Sequence, residues 1–158
     1  MEIVTEHNTI EVLNSLVIVN NDRIEGYKTA SKETRETDLK ELFFSFIVTS
    51  EQCRKELIAE IIKLGGIPNE GTRIIGKFFR VWMEVKAALT GRNRKAILDS
   101  CKYGEGIALE TYKNVLIQDV HEINSKEQLM LNKHYEFLKT DYDKIIELRS
   151  EINNKGLN

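Results

Sequence analysis

Apolar residues recur every three to four positions along four long stretches of the chain, and this spacing predicts four amphipathic α-helices. The stretches cover about residues 9–33, 38–64, 93–119 and 125–153. Gly65-Gly66 followed by Pro68 is a strong stop signal for the second stretch. Ser125, with Gln128 three residues later, has the spacing of a capping box at the start of the fourth.

The connection between the second and third helices, about residues 65–93, is much longer than the other two. It contains a further short amphipathic helix, about residues 74–89. The large apolar side chains of this helix include Phe78, Phe79, Trp82 and Met83. They are too many for an exposed helix, so we expect them to pack on the flank of the bundle. The alternative is an oligomer or partner interface, where these residue types are enriched.

Two antiparallel helix pairs joined by one long connection form the layout of ferritin-type bundles. We therefore expect an all-α, ferritin-like up-down four-helix bundle whose long crossover carries an additional short helix. Residues 1–158 are predicted to form a single domain. The single proline, Pro68, agrees with long uninterrupted helices. Gly104 and Gly106 fall inside the third helix, where we interpret them as sites of close helix approach.

The net charge and the lengths of the apolar runs argue against two classes of partner, nucleic acids and membranes. The net charge of −2 gives no reason to expect a nucleic-acid partner, which needs a basic surface. The apolar runs are too short to span a bilayer, so no membrane partner is expected. Glu2 and Glu6 lie where a secretory signal would be basic, which predicts a cytoplasmic location. The two cysteines are then expected to be reduced thiols.

A helical wheel places six polar or reactive residues on helix faces that are otherwise apolar. These residues, called here the core polar layer, are Asn20, Ser50, Cys53, Cys101, Glu105 and His134. A buried polar group has to be hydrogen-bonded, paired or ligated, so the layer is either a structural network or the remains of a site. The two cysteines are interpreted as small buried apolar residues.

Glu105 lies near the centre of the apolar face of its helix. We expect its carboxyl group to pair with Asn20, His134 or a tyrosine hydroxyl. The alternative is a metal site with Glu105 and His134 as ligands. The Glu-x-x-His motif of di-iron bundles is absent, which argues against ferroxidase activity. Without a metal, Glu105→Gln is expected to be tolerated, because glutamine removes a charge that is costly to bury.

Three segments carry a family resemblance: NNDRIEGYKTAS, GKFFRVWMEVKAALTGRNRKAIL and CKYGEGIALETY. Together they resemble an uncharacterised bacterial family of ferritin-like four-helix bundles that is known as a domain of unknown function. The resemblance extends from Ile10 to Arg149. It implies a ferritin-like bundle and no established reaction. The chain departs from the family where Ile24 replaces an acidic residue and where Tyr142-Asp143 replaces a His-Asp pair, and both changes remove potential metal ligands.

The sequence therefore predicts a non-enzymatic helical-bundle protein that forms homo-oligomers and acts in interaction or stress-related scaffolding. No cofactor is expected, and no protein partner is indicated by any motif. The alternative is a metal-binding or redox ferritin-like protein with a degenerate site in the bundle core, using iron, manganese or zinc.

Overall fold

A computed structural model of the chain describes residues 2–71, 83, 87 and 93–154. It contains four long α-helices and, in the third connection, a short 3-10 turn at Val120–Glu122. The helices are α1 (Glu2–Glu33), α2 (Thr37–Lys63), α3 (Arg94–Gln118) and α4 (Ser125–Asn154). None of the described residues lies in a strand, so the prediction of an all-α helical bundle is confirmed.

The helix boundaries agree with the predicted ones to within one or two residues, except at the start of α1. That helix begins at Glu2, seven residues before the predicted start at Thr9. The segment before Thr9 contains no proline or glycine that would interrupt a helix, although it lacks a clear apolar stripe. None of the helices in the described part of the chain is long and apolar enough to cross a membrane.

Ion pairs at one end of the bundle define the helix directions. Arg94 at the start of α3 pairs with Glu36, the residue that precedes α2, at 2.9 Å and with Asp38 in its first turn at 2.5 Å. The helices α2 and α3 therefore begin at the same end and run in the same direction. Arg149 near the end of α4 pairs with Asp99 near the start of α3 at 2.7 Å, so α3 and α4 are antiparallel. The closest helix pairs are α1 with α2 and α3 with α4.

The apolar core divides into two clusters, one toward each end of the bundle. The cluster near the α1–α2 turn includes Ile24, Tyr27, Leu39, Phe43, Phe46, Ile97, Ile145 and Ile152. The cluster near the opposite end includes Leu13, Leu16, Leu57, Ile61, Ala108, Tyr112, Leu131 and Leu138. Each helix contributes apolar residues to both clusters, and the residues between these two sets include buried polar side chains. These intervening side chains form a polar band across the middle of the bundle, whereas other buried polar residues, Thr34, Glu60 and Glu127, lie near helix ends.

The end of α2 follows the predicted stop signal. Gly65 adopts a φ of 83°, a left-handed conformation that glycine adopts without strain. Its N–H donates to the carbonyl of Ile62, and the N–H of Gly66 donates to the carbonyl of Ile61, both at 2.9 Å. This is the Schellman arrangement, which satisfies carbonyl groups that the last turn of a helix leaves free.

Two asparagines one heptad apart on α1 hold the first residues of the crossover. Asn14 donates to the carbonyl of Ile67 at 3.0 Å and accepts from the N–H of Asn69 at 2.9 Å. Asn21 donates to the carbonyl of Gly71 at 2.9 Å. The chain leaving α2 therefore turns back along α1. Of the predicted apolar crossover residues, Phe78, Phe79 and Trp82 lie outside the described residues, while Met83 is helical and 52% exposed.

Two sequence interpretations are wrong in detail. The capping box of α4 is formed by Asn124 and Glu127, because each side chain accepts from the other residue's N–H at 2.8 Å. The predicted pair, Ser125 and Gln128, lies one residue later. Gly106 is not a site of close helix approach, since a Cβ atom built on it would meet nothing within 4 Å. It faces an open groove lined by Asp99, Lys102, Tyr103, Ile107, Glu110 and Tyr142.

Candidate functional site: the buried polar network

All six residues of the core polar layer are buried, each with at most 1% of its surface exposed. The structure places four of them in two networks, and the thiols of Cys53 and Cys101 lie beside the hydroxyl groups of Tyr112 and Tyr27. Glu105 and Ser50 contact the guanidinium group of Arg23, whereas Asn20 and His134 contact the hydroxyl group of Tyr112. The layer is therefore not a single hydrogen-bonded set.

The first network is centred on Arg23, which is 1% exposed. Its Nε and Nη2 donate to Oε1 of Glu105 at 3.1 and 2.9 Å, and Nη2 also donates to Oε2 at 2.9 Å. Nη2 reaches Oδ2 of Asp141 at 3.2 Å. On the opposite side, Nη1 donates to the hydroxyl group of Ser50. Since these residues come from α1, α3, α4 and α2, one side chain connects all four helices.

Two aromatic rings enclose this guanidinium group. The guanidinium carbon of Arg23 lies 5.6 Å from the ring centroid of Tyr27 and 5.8 Å from that of Phe46. Both are within the range of cation–π attraction. The Tyr27 hydroxyl group also donates to Oε1 of Glu105. Glu105 thus accepts hydrogen bonds from a guanidinium group and a phenol at the same time.

The Arg23 network contains one permanent cation and two carboxyl groups. Burial raises the pKa of Glu105 and of Asp141, and the charge of Arg23 opposes that rise without cancelling it. The pKa of Arg23 itself lies above its ordinary value, because its acidic neighbours outweigh the effect of burial. The network is electrically neutral when one of the two carboxyl groups carries a proton.

The hydrogen-bond geometry decides which carboxyl group is ionised. Both oxygens of Glu105 face only donors, so a proton on this group would meet the N–H groups of Arg23 or the hydroxyl group of Tyr27. Asp141 accepts a single bond of 3.2 Å from Arg23, and a hydrogen bond with Thr49 also lowers its pKa. We therefore assign the negative charge that pairs with Arg23 to Glu105.

The second network links side chains of α1, α3 and α4, and its last member faces the surface of α2. Asn20 donates to the hydroxyl group of Tyr112 at 2.9 Å, and that hydroxyl group lies 3.2 Å from Nδ1 of His134. When Tyr112 donates to Nδ1, the proton of the neutral imidazole is on Nε2. That nitrogen lies 3.5 Å from Oε1 of Glu56, whose side chain is 36% exposed. This separation is long for a hydrogen bond, so Nε2 is buried without a close partner.

The potential nucleophiles of the core are held in their protonated forms. Burial raises the pKa of the Cys53 thiol to about 12 and also raises the pKa of the Cys101 thiol. Burial likewise raises the pKa values of Tyr27 and Tyr112 well above the ordinary value. For His134, burial lowers the pKa, so its imidazole is neutral at pH 7. Both cysteines are free thiols.

The two residues predicted as alternative metal ligands belong to different networks. Glu105 directs both oxygens at Arg23, and Nδ1 of His134 faces Tyr112. Within the described ranges, no group of three or more His, Cys, Asp and Glu side chains has an arrangement that could hold a metal ion.

Residues 8–118 match the model of the family described as Domain of unknown function (DUF2383). This chain belongs to that family. No curated protein matches it. The DUF2383 match covers every helix that contributes to the two networks except α4, so Asp141 and His134 lie beyond it while Arg23 and Glu105 lie within it.

Two members of the Arg23 network, Arg23 and Asp141, were not predicted from the sequence of this DUF2383 protein. Arg23 itself stands in the polar run Asn20-Asn21-Asp22-Arg23, of which only Asn20 was predicted to face the core. Its spacing contained a usable signal, because residue 23 lies three positions after Asn20 and four before the apolar-stripe residue Tyr27. Asp141 similarly lies three positions after the inward residue Leu138.

Proposed function

We propose that this chain is a non-enzymatic, ferritin-like helical-bundle protein that acts through self-association and protein interaction. In this proposal the buried polar band is a structural network that fixes the arrangement of the four helices. The observation that carries the proposal is the fully buried Arg23 guanidinium group, which donates hydrogen bonds to both carboxyl oxygens of Glu105.

The Arg23 network supports this function by the charge it supplies. In ferritin-like metal proteins, carboxylates and histidines from all four helices surround two metal ions in the bundle core. Here a guanidinium group from α1 faces carboxyl groups from α3 and α4. A guanidinium group cannot be deprotonated in a protein, and it neither leaves the site nor changes oxidation state. It therefore provides one positive charge to these carboxyl groups without the chemistry of a metal ion.

The remaining core groups support a structural function for a second reason. A nucleophile or general base needs a pKa near the working pH or a neighbouring base that activates it. The thiols of Cys53 and Cys101 and the phenols of Tyr27 and Tyr112 all have pKa values raised by burial. These groups suit packing and hydrogen bonding better than catalysis.

The surface of α2 supports self-association. Phe44, Val48 and Ile62 are 66%, 49% and 60% exposed, although large apolar side chains are more often buried. We further propose a homo-oligomer in a bacterial cytoplasm, a compartment that suits two reduced thiols.

Two measurements on protein purified without a His-tag test the proposal. Elemental analysis is expected to find iron, manganese and zinc far below one ion per chain. Size-exclusion chromatography with light scattering is expected to find an oligomer. One metal ion per chain that is lost in Glu105→Ala but kept in the exposed control Glu110→Ala would favour a metal-binding or redox protein instead. A monomer at every accessible concentration would contradict the self-association.

A further inference from the structure

The outer face of α2, opposite the core, carries a second stripe of side chains. We call this the outer α2 stripe, and it consists of Phe44, Val48, Glu51, Lys55, Ile58 and Ile62. Successive members are separated by four, three, four, three and four positions. Alternating separations of four and three residues are those of the apolar positions in a coiled-coil seam. Five of the six residues are exposed, and Ile58 is partly buried.

The order of residues in the outer α2 stripe is symmetric about the level of Cys53, which itself points into the core. Phe44 and Ile62 each lie nine residues from that level, and Val48 and Ile58 each lie five residues from it. Glu51 and Lys55 each lie two residues from it and carry opposite charges. The apolar side chains thus occupy both ends of the stripe, and the two charges occupy its middle.

Such a sequence is complementary to itself in the antiparallel direction. If two copies of α2 pack antiparallel with a two-fold axis at the level of Cys53, Phe44 of one copy meets Ile62 of the other. Glu51 of each copy then faces Lys55 of the other, which gives two opposite-charge pairs beside the axis. In the parallel direction, Glu51 would face Glu51 and Lys55 would face Lys55, and such like-charge contacts oppose pairing.

We propose that a second copy of this chain docks on the outer α2 stripe, with the two α2 helices antiparallel and related by a two-fold axis at the level of Cys53. This inference rests on the self-association in the proposed function and specifies its surface. A two-fold interface uses the same surface on both subunits and has to be self-complementary. The symmetric order of apolar and charged residues makes the outer α2 stripe self-complementary. Binding of an unrelated partner would not require this symmetry.

A neighbouring residue of α4 broadens the proposed surface. Phe137 is 45% exposed and lines the same groove between α2 and α4 as Val48 and Gln52. The position of Gln52 next to Cys53 places Phe137 near the level of the proposed axis. It therefore adds apolar area beside the central charges, which a single helix pair lacks.

Charge exchange at the centre of the stripe tests the proposal on the full chain. Glu51→Lys and Lys55→Glu each replace two opposite-charge pairs by two like-charge pairs. Sedimentation equilibrium at low salt is expected to show a dimer Kd weakened by roughly tenfold or more in each variant. An equimolar mixture of the two variants is expected to recover dimers, because each copy then carries the charges that the other needs. The double exchange Glu51→Lys with Lys55→Glu is expected to dimerise like the parent.

Several outcomes would overturn the proposed surface. If the parent dimerises and Glu51→Lys dimerises equally well, the chain self-associates elsewhere, and only this inference fails. If the mixture of the two variants stays monomeric, the antiparallel register is wrong. If the parent is a monomer, the self-association in the proposed function fails as well. Glu25→Lys on the exposed surface of α1 is the matched control for the change of net charge.

Disulfide trapping provides a test that does not depend on binding strength. With Phe44→Cys and Ile62→Cys in the same chain, oxidation is expected to link two copies covalently. Phe44→Cys alone is expected to remain unlinked, because the two copies of residue 44 would be ~27 Å apart along the direction of the α2 helices. The native cysteines are buried and do not compete. Equal cross-linking by the single variant would contradict the antiparallel arrangement.

Discussion

At the residue scale, Arg23 and Glu105 differ from the other buried polar groups because they form an ion pair in which both side chains are about 1% exposed. Glu105 accepts from Arg23 through both oxygens, while Asp141 accepts through one. Removing one partner of a buried ion pair leaves an uncompensated charge, which costs far more than losing an exposed pair. The two carboxyl groups of the network should therefore respond differently to the same chemical change.

Glu105→Gln is expected to lower the free energy of unfolding by about 3 kcal/mol, because its amide NH2 group would face the donors of Arg23 or Tyr27. This reverses the expectation drawn from the sequence, where Arg23 was not recognised as a partner. Asp141→Asn is the matched control and is expected to cost less than about 1 kcal/mol, since Asp141 accepts only one bond of 3.2 Å from Arg23. Urea denaturation at pH 7 measures both. Equal losses in the two variants would show that the charge assignment is wrong.

The lowered pKa of His134 should make the free energy of unfolding depend on pH. Its folded pKa is lowered by burial from an unfolded value of about 6.5. As the pH falls below 6.5, the unfolded chain takes up a proton that the folded chain does not, so the free energy of unfolding decreases. This loss continues until the pH reaches the lowered folded pKa.

The variant His134→Gln is expected to remove this part of the loss, so that its stability changes less than that of the parent between pH 7 and pH 5. His121→Gln, at an exposed position, is the control for the replacement of a histidine outside the core. Denaturation curves at a series of pH values provide the measurement. A parent and a His134→Gln variant with parallel pH profiles would rule out this contribution.

At the element scale, α3 tolerates a glycine for which no packing reason is visible. Glycine in the interior of a helix costs about 1 kcal/mol relative to alanine, and a Cβ atom on Gly106 would have free space. Gly106→Ala is therefore expected to raise the free energy of unfolding by about 0.5–1 kcal/mol. Gly65→Ala is expected to lower it by about 1 kcal/mol, because its φ of 83° is strained for alanine. Thermal melts of the two variants should shift in opposite directions, and a destabilised Gly106→Ala would mean that the groove needs this glycine.

The ends of the elements were predictable where local chemistry fixes them. Gly65 and Gly66 predicted the end of α2, because the left-handed turn there requires no partner from elsewhere in the fold. The start of α4 was misplaced by one residue, since Asn124 and Ser125 are both good capping residues. Only the positions of their side chains distinguish them, and Glu127 pairs with Asn124.

At the scale of the whole molecule, the four long helices of the described residues and their inward faces followed from apolar spacing, because each helix buries one stripe that its own sequence defines. The partners of the buried polar groups did not follow. These partners depend on how helices that are far apart in sequence are aligned along the bundle. Arg23 and Glu105, for example, are 82 positions apart. A wheel drawn for one helix cannot give that alignment. The polar layer was therefore predicted as a set of residues but not as two networks.

A double-mutant cycle on Arg23 and Glu105 tests most directly the claim that an internal ion pair stabilises this bundle. Urea denaturation in the presence of a chelator would compare the parent with Arg23→Met, Glu105→Leu and the double variant. Each single variant is expected to lose about 3–5 kcal/mol, and the double variant is expected to lose clearly less than the sum, because it leaves no unpaired charge between the two sites. Losses that add to within about 0.5 kcal/mol would contradict the account, since two residues that form a buried ion pair cannot behave independently.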